Sequence, residues 1–405
     1  MSNAIFDILI VGAGQAGAQA AISLRQEGYE GSITIVGEEA DLPYERPPLS
    51  KDYLSGERPA DRLLLRPPAF WAERDVQILT GTRITHVDRG VATADDGRLF
   101  HFGTMIWAAG GHARRLRCPG SDLGGIHYIR SREDVDRLRA DLSLATRIVV
   151  IGGGYVGLEA AAVLSKSGKQ VTVVEAQDRL LARVAGQAVS DFYRAEHEAH
   201  GVAIRLGTGV DAIEGAHHRV EAVLLADGTR LAADVVIVGI GLVPSVAPLG
   251  MAGATVVVDA HCQSLTEHVY AIGDCASHHN RYAGRLFQLE SVQNAVDMAK
   301  AAAAHIVHGD AAKPYDVCPW FWSNQYDLKM QTVGLSAGHD ATVVRGDIAS
   351  RSWSLVYLRA GAVIALDCIN APRDYVQGKA LVERGARIAP DLLADAATPL
   401  KTMEG

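Results

Sequence analysis

Twice in 405 residues the chain repeats one local design: an apolar run of strand length, a G-x-G-x-x-G turn, a helix of small residues, a second apolar strand and an acidic residue at its end. The first copy runs Asp7-Ile8-Leu9-Ile10-Val11-Gly12-Ala13-Gly14-Gln15-Ala16-Gly17 into a helical segment from Ala18 to Gln26, then through Ser32-Ile33-Thr34-Ile35-Val36 to Gly37-Glu38. The second runs Arg147-Ile148-Val149-Val150-Ile151-Gly152-Gly153-Gly154-Tyr155-Val156-Gly157 into a helix from Leu158 to Ser167, then through Gln170-Val171-Thr172-Val173-Val174 to Glu175. The glycines of such a unit let backbone approach a pyrophosphate, the helix N-terminus faces that charge, and the acid accepts ribose hydroxyls. A bare G-x-G-x-x-G is weak evidence, but here both copies keep their flanking strands, all three glycines and the terminal acid. Two dinucleotide folds in one chain predict an α/β protein that binds two dinucleotides.

Composition narrows what the rest can be. With 48% hydrophobic residues, 21% charged residues and a net charge of −8, the chain is expected to fold rather than remain disordered. An acidic chain with scattered Lys and Arg is a poor nucleic-acid binder, and no apolar run reaches the roughly 18 residues of a membrane span. Met1 to Phe6 lacks the basic-then-apolar pattern of a signal peptide, so a cytoplasmic protein is expected. The five cysteines (118, 262, 275, 318 and 368) lie far apart, with neither C-x-x-C nor C-x4-C. They read as reduced thiols, mostly buried, and His217-His218 and His278-His279 lack partners at ligand spacing, so no metal is expected. Near the C-terminus, Thr332-Val333-Gly334-Leu335 and Ser352-Trp353-Ser354-Leu355-Val356-Tyr357 alternate apolar and polar residues, as a half-buried antiparallel sheet does.

Further landmarks complete a pattern. Val269-Tyr270-Ala271-Ile272-Gly273-Asp274 is a short strand ending in Gly-Asp, before a polar loop and a helix from about Ser291 to His308. Met105-Ile106-Trp107-Ala108-Ala109-Gly110 and Asp234 to Gly241, with Leu242-Val243-Pro244 after it, look like the exits of two domains. Together these features resemble the FAD-dependent pyridine-nucleotide oxidoreductases of the glutathione-reductase structural class. Within that class they are most similar to the ferredoxin reductases of bacterial oxygenase systems. The narrower resemblance is carried by Tyr44-Glu45-Arg46-Pro47-Pro48-Leu49-Ser50-Lys51, Gly152 through Glu159, Glu290-Ser291-Val292-Gln293-Asn294-Ala295 and Trp320-Phe321-Trp322-Ser323-Asn324-Gln325-Tyr326.

The resemblance implies two Rossmann-like domains and a C-terminal α+β interface domain. A discontinuous FAD domain would span 1–112 and 245–322, an NADH domain 113–244, and the interface domain 323–405. It assigns FAD contacts to Gly12, Gly14, Ala16, Gly17, Glu38, Arg46 and Lys51. It adds Ile84, Ala109, Arg130, Asp274, Val292 and Trp320, with Arg132 an alternative to Arg130. NADH would meet Gly152, Gly154, Tyr155, Val156 and Gly157, together with Glu159, Glu175, Arg183 and Gly241. Disulfide reductases of the class place a C-x4-C pair soon after the first acidic strand; here that region holds Arg46 to Lys51, so electrons would pass directly to an external [2Fe–2S] ferredoxin.

Individual roles follow from the same resemblance. Lys51, after two prolines that hold the chain extended, would place its ammonium near flavin N5 and stabilise charge arriving there; the alternative is a solvated loop lysine. Glu159 would lie on the first turn of the second dinucleotide helix, either complementing its dipole or orienting the nicotinamide carboxamide. Tyr155 is either a gate beside the nicotinamide or a packed aromatic, and Trp320 either core or a flank of the isoalloxazine. These three residues, Lys51, Glu159 and Trp320, are the candidate catalytic set. Glu175 accepts ribose hydroxyls but repels a 2′-phosphate: one like-charge contact at about 5 Å and an effective dielectric near 20 costs roughly 3 kcal/mol, about a hundredfold in favour of NADH. Arg183, eight residues on, is the one feature that softens that preference. Ser245 stands where an asparagine often follows the proline, which puts local NAD contacts in question.

Residues 277–405 balance 13 Lys and Arg against 13 Asp and Glu, so the rest of the chain carries the whole −8. Arg281, Arg285 and Lys313 are candidate docking charges for an acidic ferredoxin. The activity implied is an NADH-dependent, FAD-containing ferredoxin reductase serving an oxygenase or cytochrome P450. An NADH oxidase, a rubredoxin reductase and an NADH-sensing signalling flavoprotein are the rivals, and the sequence leaves monomer or weak dimer open.

Overall fold

A strand with no polar alternation must be covered on both faces, and the central strand of each duplicated unit is buried in that way. The computed structural model describes residues 5–251 and 253–403. Contacts divide the chain into two units. One comprises the described parts of Met1–Glu45, Ala60–His112 and Val243–Pro319; the other comprises those of Arg46–Pro59, Ala113–Leu242 and Trp320–Gly405. Compactness thus groups Arg46–Pro59 and Trp320–Phe321–Trp322 with the second glycine loop, whereas the motif order had attached them to the first.

In the first unit Ile5–Val11 pairs in parallel with Ile33–Val36 on one side and Leu99–Trp107 on the other, and Val76–Leu79 extends the sheet beyond Ile33–Val36. Val269–Ala271 returns from the far part of the chain to lie parallel to the end of Leu99–Trp107, with Val269 opposite Met105 and Ala271 opposite Trp107. The helices Gln15–Gln26 and Val292–His308 pack on each other. Their buried faces are built from Ala16, Ala20 and Ala21 on one and Ala295, Ala299 and Ala302 on the other, so the backbones approach closely. Ser291 caps the second of these helices, its hydroxyl accepting from the Asn294 N–H at 3.0 Å.

In the second unit five parallel strands run in the order Ala203–Arg205, Gln170–Val174, Arg147–Ile151, Val235–Val238, Ile126–Tyr128. The following helix is Tyr155–Lys166, three residues earlier than the pattern of small residues suggests. Glu159 is therefore its fifth residue, in the second turn rather than the first, too far in to complement the dipole at the N-terminus. The C-terminal sheet is antiparallel in the order Trp320–Gln325, Leu328–Gly334, Ala362–Ile369, Ser352–Arg359, Ala341–Asp347. Ser352–Arg359 is not half-buried as its alternation suggests: all six residues from Trp353 to Leu358 are buried. Trp353 packs edge-on against Phe192 at 5.6 Å, while Ser354, on the other face, donates to Asp374 of the helix Pro372–Arg384 at 3.0 Å, so the strand is covered from both sides. Among the described residues no helix is long and apolar enough to cross a membrane.

One carboxylate in this sheet makes stability pH-dependent. Asp367 is buried and accepts from the Tyr357 hydroxyl, whose oxygen accepts from the Gly186 N–H at 2.7 Å. Burial pushes the Asp367 carboxyl up to about 7. Between about pH 4 and 7 the unfolded chain has released a proton that the fold retains, so stability should fall as pH rises through that window. Asp367→Asn should flatten this slope in melting temperatures taken from pH 5 to 8; an unchanged slope would place its origin elsewhere.

Candidate active site

Each glycine loop does two distinct things. At Gly12, where φ is +116°, a Cβ would stand 2.2 Å from the Ala108 carbonyl oxygen, and at Gly17 one would stand 1.9 Å from the Gly12 oxygen. These two glycines let the strand end, the helix and the Ala108–Ala109 segment cross in contact. Gly14 is different: nothing lies within 4 Å of the position its Cβ would take. It is the N-cap of Gln15–Gln26, and no side chain caps that terminus. The second loop repeats the arrangement, with Cβ positions 2.3 Å from the Gly239 oxygen at Gly152 and 2.2 Å from the Gly152 oxygen at Gly157, and open space at Gly154. Two uncapped helix N-termini with room at the middle glycine fit the pyrophosphates of two dinucleotides.

The acids stand at the expected strand ends. Glu38 is exposed and lies 3.8 Å from Arg83, a neighbour that sequence reading missed. Glu175 is fastened to its own loop: Oε2 accepts from the Gly153 N–H at 2.6 Å and Oε1 from the Gln177 N–H at 2.8 Å. Arg179, four residues on, also went unremarked in the sequence. Its guanidinium is occupied by the Ala182 and Ala185 carbonyls and the Ser190 hydroxyl, at 2.7–2.8 Å. Arg183 is exposed.

The other candidates fall into groups. In the first unit, a Cβ at Gly273 would meet Ala16 Cβ at 3.2 Å and Ala295 Cβ at 3.7 Å, which draws Asp274 and the helix beginning at Val292 up to the glycine loop. Ile84 is buried in the core and Ala109 packs against it. In the second unit, Arg46 donates to the Arg130 carbonyl at 2.6 Å, whereas Arg132 is engaged with Asp136 at 2.7 Å, which also accepts from the Tyr53 hydroxyl at 2.5 Å. The Tyr155 ring lies 4.6 Å from that of Phe321, as a packed aromatic does; Val156 is exposed and Gly241, at φ +108°, accepts from the Arg114 N–H. Trp320 is half-buried, 5.5 Å from Trp322 and 6.3 Å from Tyr375. Ser245 serves through its backbone, donating to the Gly110 oxygen at 2.9 Å and accepting from Trp107 Nε1 at 2.8 Å, neither of which needs an asparagine side chain.

Three motif stretches converge on Glu159. Its Oε2 accepts from Lys51 Nζ at 2.5 Å and from Ser50 Oγ at 2.6 Å, and its Oε1 accepts from Ser323 Oγ at 2.7 Å. Glu159 is 3% exposed and the Lys51 side chain 18%, so this is a largely desolvated ion pair in which both carboxylate oxygens accept hydrogen bonds. Lys51 also donates to the Pro47 carbonyl at 3.0 Å, which fixes its rotamer. The expected contact of Glu159 with a nicotinamide competes with these three donors. Ser50 and Ser323 were missed as site residues, although both stand inside the quoted R-P-P-L-S-K and W-F-W-S-N-Q-Y runs. All five cysteines are unpaired and four of them are buried; among the described residues no group of His, Cys, Asp and Glu could hold a metal ion.

Two glycine-loop sheets in one chain define an oxidoreductase of the two-dinucleotide class. The chain matches the pyridine nucleotide-disulphide oxidoreductase family over residues 6–299 and the reductase C-terminal family over residues 320–404, and it belongs to the former. It is 55% identical over 407 residues to the ferredoxin reductase subunit of the 5,5'-dehydrodivanillate O-demethylase of Sphingobium sp. (strain NBRC 103272 / SYK-6), covering 98% of each chain. A ferredoxin–NAD(P)(+) reductase of Sphingomonas sp. is 51% identical, with 99% of this chain and 98% of that one covered. Among solved structures, the crystal structure of a covalent putidaredoxin reductase–putidaredoxin complex matches with a TM-score of 0.93 and 38% identity, over 98% of this chain and 97% of that one.

Proposed function

We propose that the protein is an FAD-containing reductase that takes hydride from NADH and passes electrons singly to a [2Fe–2S] ferredoxin serving an oxygenase or cytochrome P450. The observation that carries this reading is the Lys51–Glu159 pair, whose lysine stands in the segment where disulfide-reducing members of the structural class keep two cysteines. With no dithiol there, no neighbouring disulfide takes the electrons, which suits transfer to an external acceptor. The high identity to two ferredoxin reductases along the whole length supports the same conclusion. Bound FAD would supply the conversion of one hydride into two single-electron transfers.

The chain's own residues have separable tasks. Gly12, Gly14 and Gly17 with Glu38 and Asp274 hold FAD in the first unit; Gly152, Gly154 and Gly157 with Glu175 hold NADH in the second. Lys51 supplies positive charge to the reduced carrier, and Glu159 keeps that charge in place. Trp320 shapes the exit for electrons. Arg285 and Lys313 contribute to docking, while the charge of Arg281 is offset by Asp316 at 2.8 Å. Unpaired thiols throughout suit a reducing compartment, the cytoplasm.

The test is NADH-driven cytochrome c reduction with and without an oxygenase-type [2Fe–2S] ferredoxin while oxygen uptake is followed. A large ferredoxin-dependent rate with little oxygen consumption is expected. Fast NADH loss to oxygen, indifferent to ferredoxin, would identify an oxidase; transfer to rubredoxin alone would identify a rubredoxin reductase. A stable charge-transfer complex with none of these activities would point to a signalling role.

Coenzyme choice gives a second measurement. Because Arg179 is occupied and Glu175 is held over the loop, NADH should be preferred about a hundredfold. Glu175→Ala should narrow the ratio of kcat/KM values for NADH and NADPH to about tenfold or less. An unchanged ratio would remove Glu175 from coenzyme selection.

A further inference from the structure

A line of buried polar side chains leads from Glu159 through the interior of the second unit. Ser323 Oγ, which donates to Glu159, accepts from Gln325 Nε2 at 3.2 Å. Gln325 Oε1 lies 2.8 Å from His197 Nε2, and His197 Nδ1 lies 3.0 Å from the Tyr326 hydroxyl. Ser323, Gln325 and His197 are each at most 1% exposed. Tyr326 is half-buried and stacked at 3.7 Å on the exposed ring of His200. Such interior positions are ordinarily apolar, because a buried polar group is tolerated only when every partner is in place.

The direction of the line is set at its Glu159 end, where the carboxylate only accepts. Ser323 donates to it and accepts from the Gln325 N–H, which leaves the Gln325 oxygen facing His197. At the far end Tyr326 also lies 3.2 Å from Ser165 Oγ. An amide oxygen only accepts, so His197 Nε2 carries the proton and Nδ1 accepts from Tyr326. Gln325 is thereby held with its N–H toward Ser323, and the Ser323 hydrogen is left for the Glu159 carboxylate. All donors run one way, from Tyr326 to Glu159, and polarise one another in that direction.

We infer that His197 is a positioning residue for the Lys51–Glu159 pair: as the Nε2–H tautomer it fixes Gln325 and Ser323 so that Glu159 receives a hydrogen bond on the oxygen that Lys51 does not use. The inference rests on the role of Lys51 proposed above. Without the His197 proton, the Gln325 amide is free to turn its oxygen toward Ser323, which then donates to the amide and no longer to Glu159. Glu159 then keeps donors on Oε2 alone, its carboxylate is free to rotate, and Lys51 Nζ loses its fixed partner. Burial holds the His197 imidazole down at about 4, so it stays neutral over the working range. The titratable groups facing Glu159 are Lys51, Tyr155 and Tyr193, and burial raises both phenols well above their usual range. Those facing His197 are His200 and Tyr326.

The test compares FAD-loaded full-length wild type, His197→Leu and His197→Gln, the last placing an amide N–H where Nε2 stands. The readouts are the rate of flavin bleaching by NADH and the flavin midpoint potential. His197→Leu should slow bleaching about tenfold, the size of one hydrogen bond to a charged group, and lower the potential. His197→Gln should restore both. A folded, FAD-loaded His197→Leu protein with the wild-type rate and potential would overturn the inference. Should His197→Leu not fold, nitrogen-15 spectra of the histidines in the wild type decide: a neutral Nε2–H ring from pH 5.5 to 8.5 supports the assignment, and an Nδ1–H ring or titration near 6.5 defeats it. Failure of the functional reading looks different, since wild-type flavin would then not be bleached by NADH at all.

Discussion

Gly17→Ala should fail to accumulate as folded protein, whereas Gly14→Ala should fold and purify without its dinucleotide. At Gly17 the added methyl would stand 1.9 Å from the backbone oxygen of Gly12, far inside any non-bonded contact distance. Neither side can retreat: Gly12 is pinned beside Ala108, and the helix carrying Gly17 is packed on Val292–His308. The cost belongs with the exceptional substitutions beyond about 4–5 kcal/mol, a large share of a typical stability of about 5–15 kcal/mol. Gly14 has φ −88°, which any residue adopts, and nothing within 4 Å of its Cβ position. Alanine there changes the apoprotein little and fills the space through which a pyrophosphate approaches the helix N-terminus. Circular dichroism melts and the ratio of flavin to protein absorbance read the two properties separately. Full FAD occupancy in Gly14→Ala would remove the first loop from cofactor binding. In the second loop the same contrast should appear as misfolding for Gly157→Ala and a raised KM for NADH alone for Gly154→Ala.

Lys51→Met should slow reduction of the bound flavin by NADH about a hundredfold and lower the melting temperature by several degrees. Adding Glu159→Gln should restore the second property and not the first. The stability effect follows from burial. Removing one member of a desolvated ion pair strands the other, at roughly 3–5 kcal/mol for a fully buried pair, while neutralising both is close to neutral. Lys51 keeps 18% of its side chain exposed, so the lower end applies, and at about 1–2 °C per kcal/mol for a chain of this length the melting point should drop by roughly 3–6 °C. The kinetic effect is of another kind: a fixed positive charge placed where negative charge develops contributes about 100- to 1000-fold, and no change at Glu159 replaces it. Stopped-flow bleaching and thermal melts of the two single variants and the double variant form the cycle. Normal reduction by Lys51→Met would end the role proposed for this lysine; an unchanged melting point would mean the pair contributes nothing to the fold.

How far the sequence could be read depended on how local each cause is. The strands Arg147–Ile151 and Gln170–Val174 coincide with their apolar runs, because burial of a central parallel strand is written in its own residues. Both helices beginning after the glycine loops start earlier than the runs of small residues suggest, because the turn itself ends at Gly14 and Gly154. The alternation of Ser352–Arg359 misled, since Ser354 is buried by its bond to Asp374, a partner 20 residues away on a helix that the strand's own residues do not announce. Glu159 read as either a helix-dipole charge or a nicotinamide contact, and its ion pair went unread for a similar reason: Lys51, its counter-ion, is 108 residues distant.

The residues alone were enough to read the two dinucleotide folds, the three glycines of each loop and the acids at their strand ends. Steric limits at a tight turn and the cover a strand requires act over a few residues, so they leave a local pattern. Only the tertiary structure decided that Glu159 belongs to Lys51, Ser50 and Ser323, that Arg179 is occupied beside Glu175, and that a polar line from Tyr326 ends on the same carboxylate. Such pairings join side chains brought together by packing, and desolvation, not sequence spacing, makes them strong.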